Sequence, residues 1–272
     1  MLDKLFSWRT AQKYSSRKIG LALGGGAVLG AAHIGVLKAL EENDIQIDSI
    51  TGTSIGAFVA ALHAFGISAR EIEVIVTELG WLDISKLALS KYGVLSNEKL
   101  GKAMREIIGD VSFSDAKIPL AVIATNIASG NPVVLNQGDV ATATMASTCV
   151  PGVFAPVELD GQMLVDGGLV ENVPLSPLRD MGANFIIGVD LNAKRQYEQP
   201  GDMIDVLMNA LDIAIDNSTR LQTKNVDLLI TPEVFHFSRT DRDNIEHLVS
   251  EGYKAAAPQL KEFALKCKHP VK

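Results

Sequence analysis

One short stretch, residues 47–62, constrains the fold of this chain more than any other. It begins with β-branched residues typical of a strand and continues into an apolar, alanine-rich run typical of a helix. Between the two lies Gly-x-Ser-x-Gly, formed by Gly52, Ser54 and Gly56. A strand that reverses sharply into a helix crowds its turn, and glycine two residues either side of the serine removes the Cβ clash. The pattern therefore predicts a nucleophile elbow that exposes the Ser54 hydroxyl.

A second turn, rich in glycine, lies between an earlier predicted strand and helix. Consecutive glycines let the backbone present several N–H groups at the positive end of a helix, which suits phosphate binding or stabilisation of an oxyanion. The dinucleotide pattern Gly-x-Gly-x-x-Gly fails in both frames, and no P-loop lysine follows. We therefore expect the backbone amides of Gly24, Gly25, Gly26 and Ala27 to form an oxyanion hole.

An attacking serine needs a base, and the chain offers two kinds of candidate. Asp166 ends a predicted strand and precedes Gly167 and Gly168, so its carboxylate can lie in a tight turn near another part of the backbone. A carboxylate that takes the serine proton directly makes a two-residue nucleophile–base unit. His236 and His247 stay open as alternatives, because they follow in the Ser–Asp–His order of other hydrolases. We favour Asp166.

Composition narrows the classes of protein. The chain has 272 residues, a hydrophobic fraction of 47% and a net charge of −7. These values suit one large α/β domain and argue against a partner nucleic acid. The two cysteines form neither a zinc pattern nor a disulfide framework, and no apolar run is long enough to span a membrane. We expect a reducing, cytoplasmic location.

The order of the predicted elements indicates one domain. Residues 19–66 read as a β-α-β-α unit, which implies parallel neighbouring strands. Further strands are predicted at 119–126, 131–135, 163–165, 184–191 and 226–231, helices at 97–108, 139–147, 174–181, 203–224 and 241–264, and an irregular surface excursion at 80–96. Because no repeat or linker interrupts them, we expect a single domain over 19–272, a three-layer α/β/α fold with a central, mostly parallel sheet.

Residues 1–18 have a character of their own. Five basic residues stand against one aspartate and are interleaved with apolar ones, including Phe6 and Trp8. Such a segment can form a short helix that touches anionic lipid, although a solvated or locally packed leader fits the composition better. We treat it as a basic leader, with peripheral contact to the inner membrane surface as a hypothesis.

Three segments together resemble the bacterial patatin-like phospholipases: IGLALGGGAVLGAAHIGVLKAL at 19–40, ITGTSIG at 50–56 and ASTCVPGVFAPVELDGQMLVDGGLVENVP at 146–174. Their order and spacing are similar to those of the short single-domain members. The resemblance implies a Ser–Asp dyad in which Ser54 attacks a phospholipid, lysophospholipid or other acyl ester and Asp166 is the base. It also implies an acyl-enzyme intermediate, an oxyanion hole in the 24–30 turn, no metal and no organic cofactor.

One position departs from the pattern of that family. Leu29 stands where the family usually has arginine or lysine, immediately before Gly30. A cation there would add its field to the oxyanion site, and leucine cannot supply it. The alternative is therefore a weak or inactive lipid-binding or regulatory protein on the same fold. On this hypothesis Leu29→Arg is expected to raise turnover or shift substrate preference.

Overall fold

The computed structural model describes residues 17–78, 86–90, 93–238 and 243–268. Over the first half of the chain the elements are β1 (Ile19–Leu23), α1 (Ala31–Glu42), β2 (Ser49–Thr53), α2 (Ile55–Ala64), α3 (Ala69–Glu78), β3 (Lys86–Ser90), β4 (Gly93–Ser96), α4 (Glu98–Ile108), β5 (Leu120–Asn126) and β6 (Pro132–Leu135). They continue with α5 (Val140–Ser147), β7 (Gly152–Phe154), β8 (Val157–Leu159), β9 (Gln162–Asp166), α6 (Gly168–Glu171), α7 (Ser176–Asp180), β10 (Phe185–Val189), α8 (Met203–Gln222), β11 (Leu228–Ile230) and α9 (Ile245–Lys268).

The main sheet runs in the order β11-β10-β1-β2-β5-β9-β8, with β6 also paired to β5. The pairs from β11 through to β5 are parallel. By contrast, β6 and β9 run antiparallel to β5, and β8 runs antiparallel to β9. The expected mostly parallel sheet is therefore confirmed, and its antiparallel part lies on the side of β9.

Alternate residues of the strands enter two separate cores. On β1, Leu21 and Leu23 belong to the larger core, together with Phe58 of α2. Ala22, between them, belongs to a smaller core with Leu178 of α7. Because successive side chains of a strand point to opposite faces, helices cover both faces of the sheet. The three-layer α/β/α fold is confirmed.

Helix α9 packs closely against α1, the helix that follows the glycine-rich turn. A Cβ on Gly35 of α1 would lie 2.0 Å from the carbonyl oxygen of Val249, and one on Gly252 of α9 would lie 1.9 Å from that of Ala32. The two backbones are therefore in direct contact, which only glycine allows. This contact fixes α1 beneath the glycine-rich turn.

The structure of residues 80–96 differs in part from the expectation drawn from the sequence. The prediction that 80–96 is irregular is wrong for β3 and β4, which form an antiparallel hairpin extended by β7. The third strand comes from a segment remote in sequence, so local periodicity could not reveal the sheet. Residues 79–85 and 91–92 lie outside the described residues, as does the proposed leader up to residue 16.

Candidate active site

Ser54 occupies the turn between β2 and α2 with φ +54° and ψ −125°. A positive φ is strained for serine and is held only where the surroundings over-determine it. A Cβ on Gly52 would lie 2.4 Å from the carbonyl oxygen of Gly56, and one on Gly56 would lie 2.1 Å from that of Leu23. The structure thus forms the strand–turn–helix that the sequence predicts, and both flanking glycines are required by close backbone contacts.

Hydrogen bonds from remote segments hold this turn. The N–H of Ser54 donates to the hydroxyl oxygen of Ser147 at 2.8 Å, and the Ser147 hydroxyl donates to the carbonyl oxygen of Ile123 at 2.6 Å. The Thr53 hydroxyl donates to the carbonyl oxygen of Glu171 at 2.9 Å. The sequence analysis did not identify Ser147, which lies 93 residues from Ser54 and has no local signal.

Strand β5 brings the ends of β2 and β9 together. Thr53, the last residue of β2, pairs with Ile123, and Asp166, the last residue of β9, pairs with the next residue, Ala124. Strand β6 pairs with both of these β5 residues and occupies their other edge. Consequently β2 and β9 approach end to end along one edge of β5, and Ser54 follows directly after the first of these ends.

Several backbone contacts fix Asp166, which is only 8% exposed. Its carboxylate oxygen Oδ1 accepts a hydrogen bond from the N–H of Gly168 at 2.8 Å, and its own N–H donates to the carbonyl oxygen of Cys149 at 2.9 Å. A Cβ on Gly167 would lie 2.2 Å from the carbonyl oxygen of Ile123. Asp-Gly-Gly is therefore a tight turn that presses against β5 and orients the carboxylate.

The glycine-rich turn supplies fewer candidate donors than the sequence suggested. The N–H of Gly24 donates to the carbonyl oxygen of Val189 at 3.1 Å, and that of Gly25 donates to the carbonyl oxygen of Asn172 at 3.2 Å. Gly26 and Ala27 line the same cavity as Ser54. Ala27, with φ +53°, begins a short 3-10 turn that ends at Gly30. The candidate oxyanion donors are therefore narrowed to Gly26 and Ala27.

His33 forms a hydrogen bond with the backbone of the glycine-rich turn. Its Nε2 lies 2.8 Å from the carbonyl oxygen of Gly24, and the ring is fully buried. Burial lowers the pKa of His33 to about 4, so the ring is neutral at pH 7. Because a carbonyl oxygen only accepts, Nε2 must carry the proton and donate. His33 is thus a positioning residue for the glycine-rich turn.

The cavity beside these groups has a volume of about 340 Å³. Its polar part includes Ser54, Asp166 and the glycine-rich turn. The other polar side chains that line it are Asn97, Thr148, Asn172, Asn192, Arg195 and Asp212. Most of the remaining wall is apolar and includes Leu95, Leu100, Val153, Phe154, Leu211 and Ile215. An apolar cavity with a few convergent polar groups is the usual form of a small-molecule site. This one suits a ligand with a hydrocarbon part and one polar reacting group.

Two asparagines that the sequence analysis did not single out flank the glycine-rich turn. Oδ1 of Asn172 lies 2.7 Å from the position of a Cβ on Gly25, and Nδ2 of Asn192 donates to the carbonyl oxygen of Gly25 at 2.9 Å. Both side chains are buried and line the cavity. Nδ2 of Asn172 and Oδ1 of Asn192 have no hydrogen-bond partner within the described part of the chain. Asn172 follows Asp-Gly-Gly closely in sequence, whereas Asn192 has no motif around it.

Comparison with known proteins identifies the family of the chain. The model of the patatin-like phospholipase family matches residues 21–179, which is more than half of the chain. The chain belongs to this family. An uncharacterised NTE family protein of Mycobacterium tuberculosis is 38% identical over 181 residues, covering 65% of this chain and 50% of the relative. A lysophospholipase of Aspergillus fumigatus is 31% identical over 196 residues, covering 68% of this chain and 12% of the relative.

A solved structure shows the same fold. VipD of Legionella pneumophila superposes with a TM-score of 0.63 at 14% identity, covering 91% of this chain and 67% of that one. At this identity the likeness concerns the fold alone. The chain spans half the length of the mycobacterial relative and a much smaller part of the fungal one. The resemblance to patatin-like phospholipases drawn from the sequence is confirmed.

The position at which this chain departs from the patatin-like pattern faces the core. Leu29 is 4% exposed and belongs to the larger hydrophobic core. Among the described residues that line the cavity, its neighbours Ala27 and Val28 are present and Leu29 is not. The leucine side chain therefore contacts the core and not the candidate site.

The histidines considered as alternative bases lie elsewhere. The ring centroid of His236 is 4.2 Å from that of Phe237, and the ring of His247 stacks on the same phenylalanine at 6.4 Å. Neither histidine is among the described residues that line the cavity with Ser54. The structure thus brings Asp166, and not a histidine, to the end of β2.

A charged cluster borders the cavity on the side of α8. The guanidinium of Arg195 lies 2.5 Å from a carboxylate oxygen of Asp212 and 3.2 Å from one of Asp216. Burial raises the pKa of nearby Asp190 to about 6, and the negative charge of Asp216 adds to this shift. Three carboxylates stand against one guanidinium, so this border carries no excess positive charge.

Residues 17–78, 86–90, 93–238 and 243–268 contain neither a metal-binding cluster nor a membrane-spanning helix. In these ranges, no group of three or more histidine, cysteine, aspartate or glutamate side chains is arranged to hold a metal ion. Over the same ranges, no helix combines the length and the apolar character needed to cross a membrane.

Proposed function

We propose that the protein is a serine acyl hydrolase that cleaves carboxylic ester bonds of lipids through a dyad of Ser54 and Asp166. One observation carries the proposal: β2 and β9 end against consecutive residues on the same edge of β5. This arrangement sets a hydroxyl and a carboxylate at the wall of one apolar cavity, next to the glycine-rich turn. Nucleophile, base and backbone donors are the three parts that acyl transfer requires.

The steps follow from these positions. Oγ of Ser54 attacks the ester carbonyl carbon while Asp166 takes its proton, and the N–H groups of Gly26 and Ala27 bind the developing oxyanion. The alcohol leaves with the proton from Asp166, and the acyl group stays on Ser54. Asp166 then takes a proton from water, which attacks the acyl-enzyme. The bond from the acyl carbon to Oγ breaks, Asp166 returns the proton to Ser54, and the fatty acid leaves. Each oxyanion donor contributes about 3 kcal/mol to stabilisation of the transition state.

The substrate class follows from the shape and lining of the cavity. Its volume of about 340 Å³ lies near the lower end of ligand sites, which favours a substrate with a single acyl chain inside the cavity. The fungal relative is named a lysophospholipase, which supports the same substrate class. We therefore rank lysophospholipid and other single-chain esters before two-chain phospholipids.

Labelling by a fluorophosphonate probe, together with fatty-acid release from a panel of lipids, tests the proposal. Wild type is expected to be labelled and to release fatty acid, whereas Ser54→Ala abolishes both and Asp166→Asn lowers release by at least about 10³-fold. Ser129→Ala is a matched control, because Ser129 lies in an exposed turn. Folded wild type that resists the probe and matches Ser54→Ala on every lipid would contradict the proposal.

The same panel separates the alternative of an inactive lipid-binding protein. That alternative predicts saturable lipid binding that Asp166→Asn leaves unchanged, with no turnover. The reason for considering that alternative is Leu29, which replaces a cation expected next to the oxyanion site. In the structure Leu29 is buried in the larger core and does not line the site.

A cytoplasmic location stays a prediction. It is based on cysteine usage that suits a reducing compartment, and in the structure Cys149 and Cys267 are both free thiols.

A further inference from the structure

Helix α8 exposes apolar side chains that no described element covers. Thr219 is the one buried residue among the 20 of this helix. At its N-terminal end Met203 is 75% exposed, Ile204 65% and Leu207 62%. A helix of a folded domain normally packs its apolar stripe against the core, and a cluster of exposed apolar side chains marks an interaction surface.

The exposed end of α8 continues into the cavity. Ile204, Met208, Leu211 and Ile215 are spaced by four, three and four residues, so they lie along one face of the helix. The last three line the cavity, and Ile204 is exposed. One apolar stripe therefore leads from the outer end of α8 to the wall of the candidate site.

Opposite sides of this stripe differ in chemistry. On one side Asp212 and Asp216 pair with Arg195, and the Tyr197 hydroxyl donates to Asp216 at 2.6 Å, which ties α8 to the loop after β10. On the other side lie Met203, Leu207, Ala210 and Ala214, all exposed. We call these four residues the apolar flank of α8. The apolar flank faces solvent, whereas the ion pairs and the hydrogen bond on the other side of the stripe hold α8 to the loop after β10.

Charge decides which surface the flank fits. From Asp202 to Thr219 the helix and its N-cap carry four aspartates, and the first basic residue is Arg220. Helices that bind anionic lipid carry lysine and arginine on their polar face. Asp212 and Asp216 pair with Arg195, so the charge next to the apolar flank is that of Asp202 and Asp205 at the N-terminal end. An anionic surface would repel these two carboxylates, whereas the exposed apolar side chains can still enter a surface without net charge.

We propose that the apolar flank of α8 docks on a zwitterionic lipid surface and places the cavity next to the lipid it hydrolyses. The purpose of the docking rests on the proposed function, whereas the docking itself does not. A substrate acyl chain would then pass from the lipid surface along Ile204 to the cavity without crossing water. This assigns membrane contact to the described α8, independently of the basic leader.

Flotation of the full chain with phosphatidylcholine vesicles tests the docking. Wild type is expected to float with the vesicles, and the double variant Met203→Ser/Leu207→Ser to bind at least tenfold more weakly, because two large apolar side chains no longer enter the lipid. Val74→Ser is the matched control, since Val74 is an apolar residue that is 52% exposed on a different helix, α3. It is expected to bind like wild type.

A second measurement separates docking from chemistry. With a water-soluble p-nitrophenyl ester, the double variant and wild type are expected to have equal rates, whereas with lipid presented in vesicles the double variant is at least tenfold slower. If wild type hydrolyses neither substrate, the proposed function fails, and the flotation result still decides the docking.

Three results would overturn the docking proposal. One is equal flotation of wild type and the double variant. Another is stronger flotation with phosphatidylglycerol vesicles, or loss of flotation only when residues 2–16 are deleted, which would assign the contact to the leader. The third is sedimentation that shows a dimer for wild type and a monomer for the double variant. This result would make the flank an interface between two copies of this chain.

Discussion

Two helices border the candidate site, and they differ sharply in burial. Helix α2, which carries the strained turn of Ser54 at its N-terminus, has nine of its ten residues buried. Helix α8, which lines the other side of the cavity, has Thr219 alone buried among 20. The first is apolar on all sides because the sheet and other helices enclose it. The second has one side on the cavity and one in solvent.

The difference in burial between α2 and α8 matches two requirements of the site: a fixed geometry at Ser54 and a wall past which a ligand can move. Strained geometry at Ser54 persists only where dense packing over-determines it, and α2 supplies that packing. The lipid substrate that we propose, by contrast, must enter and leave, so the wall that it passes needs few buried contacts. The comparison predicts that substitutions near α2 act on folding, whereas those on α8 act on lipid binding.

Gly56→Ala is expected to have the largest effect. Its Cβ would lie 2.1 Å from the carbonyl oxygen of Leu23, and a backbone atom cannot move aside cheaply. We expect a loss of more than about 4 kcal/mol in the free energy of unfolding, or no folded protein. Gly201→Ala, just before α8, would meet the Asp205 side chain at 3.3 Å and should change stability by less than about 0.5 kcal/mol in chemical denaturation. Equal stability of the two variants would break the comparison.

Phe58→Ala and Leu207→Ala compare the two helices directly. Phe58 of α2 is 1% exposed, so its truncation leaves a cavity in the larger core and costs about 3–5 kcal/mol. Leu207 of α8 is 62% exposed, and its truncation should cost less than about 0.5 kcal/mol. Urea denaturation of both variants measures these differences. A large loss for Leu207→Ala would show that the flank packs on the protein itself.

Leu29→Arg distinguishes the sequence-based hypothesis from the structure. The resemblance drawn from the sequence predicts higher turnover or a shifted substrate preference, because the family usually has a cation here. The structure buries Leu29 in the larger core, so an unpaired guanidinium there should destabilise the fold by about 3 kcal/mol without raising turnover. Thermal denaturation and ester hydrolysis measure the two effects. A stable variant with raised turnover would restore the original hypothesis.

Asp190→Asn probes the charged border beside α8. Burial raises the pKa of Asp190 from 3.8 to about 6, so the folded state binds more protons than the unfolded state between these values. Its contribution to stability therefore falls as the pH rises from about 4 to about 6. The variant should be more stable than wild type by about 1–3 kcal/mol at pH 8 and equal to it near pH 3.5.

The difference between the two proteins, and not the wild-type curve alone, is the quantity to measure. His33, whose pKa burial lowers to about 4, acts in the opposite direction over nearly the same range. It destabilises the folded state as the pH falls below 6.5. A pH-independent difference between Asp190→Asn and wild type would contradict the assignment to Asp190.

Local signals identified most of the elements, and they failed where partners are remote. The strand and helix around Ser54 and the capping box of α3 are local: the Ser68 N–H donates to the Glu71 carboxylate at 2.9 Å. Predicted helix and strand boundaries lie within a few residues of those in the structure. The sequence predicts none of β3, β4, β7, β8 and α6. Strand β8 and helix α6 are too short for a periodic pattern, and the sheet of β3, β4 and β7 joins residues more than 50 apart. Such pairing leaves no periodic trace in a short strand.

By itself, the sequence determined the elbow at Ser54, the glycine-rich turn and the Asp-Gly-Gly turn, because each is a local backbone geometry that needs glycine at fixed positions. Tertiary structure alone decided that β2 and β9 end on the same edge of β5, that Ser147 and His33 support the turns, and that Leu29 faces the core. It also decided that the apolar side of α8 stays exposed. Register and packing depend on contacts between distant segments, and no local pattern encodes them.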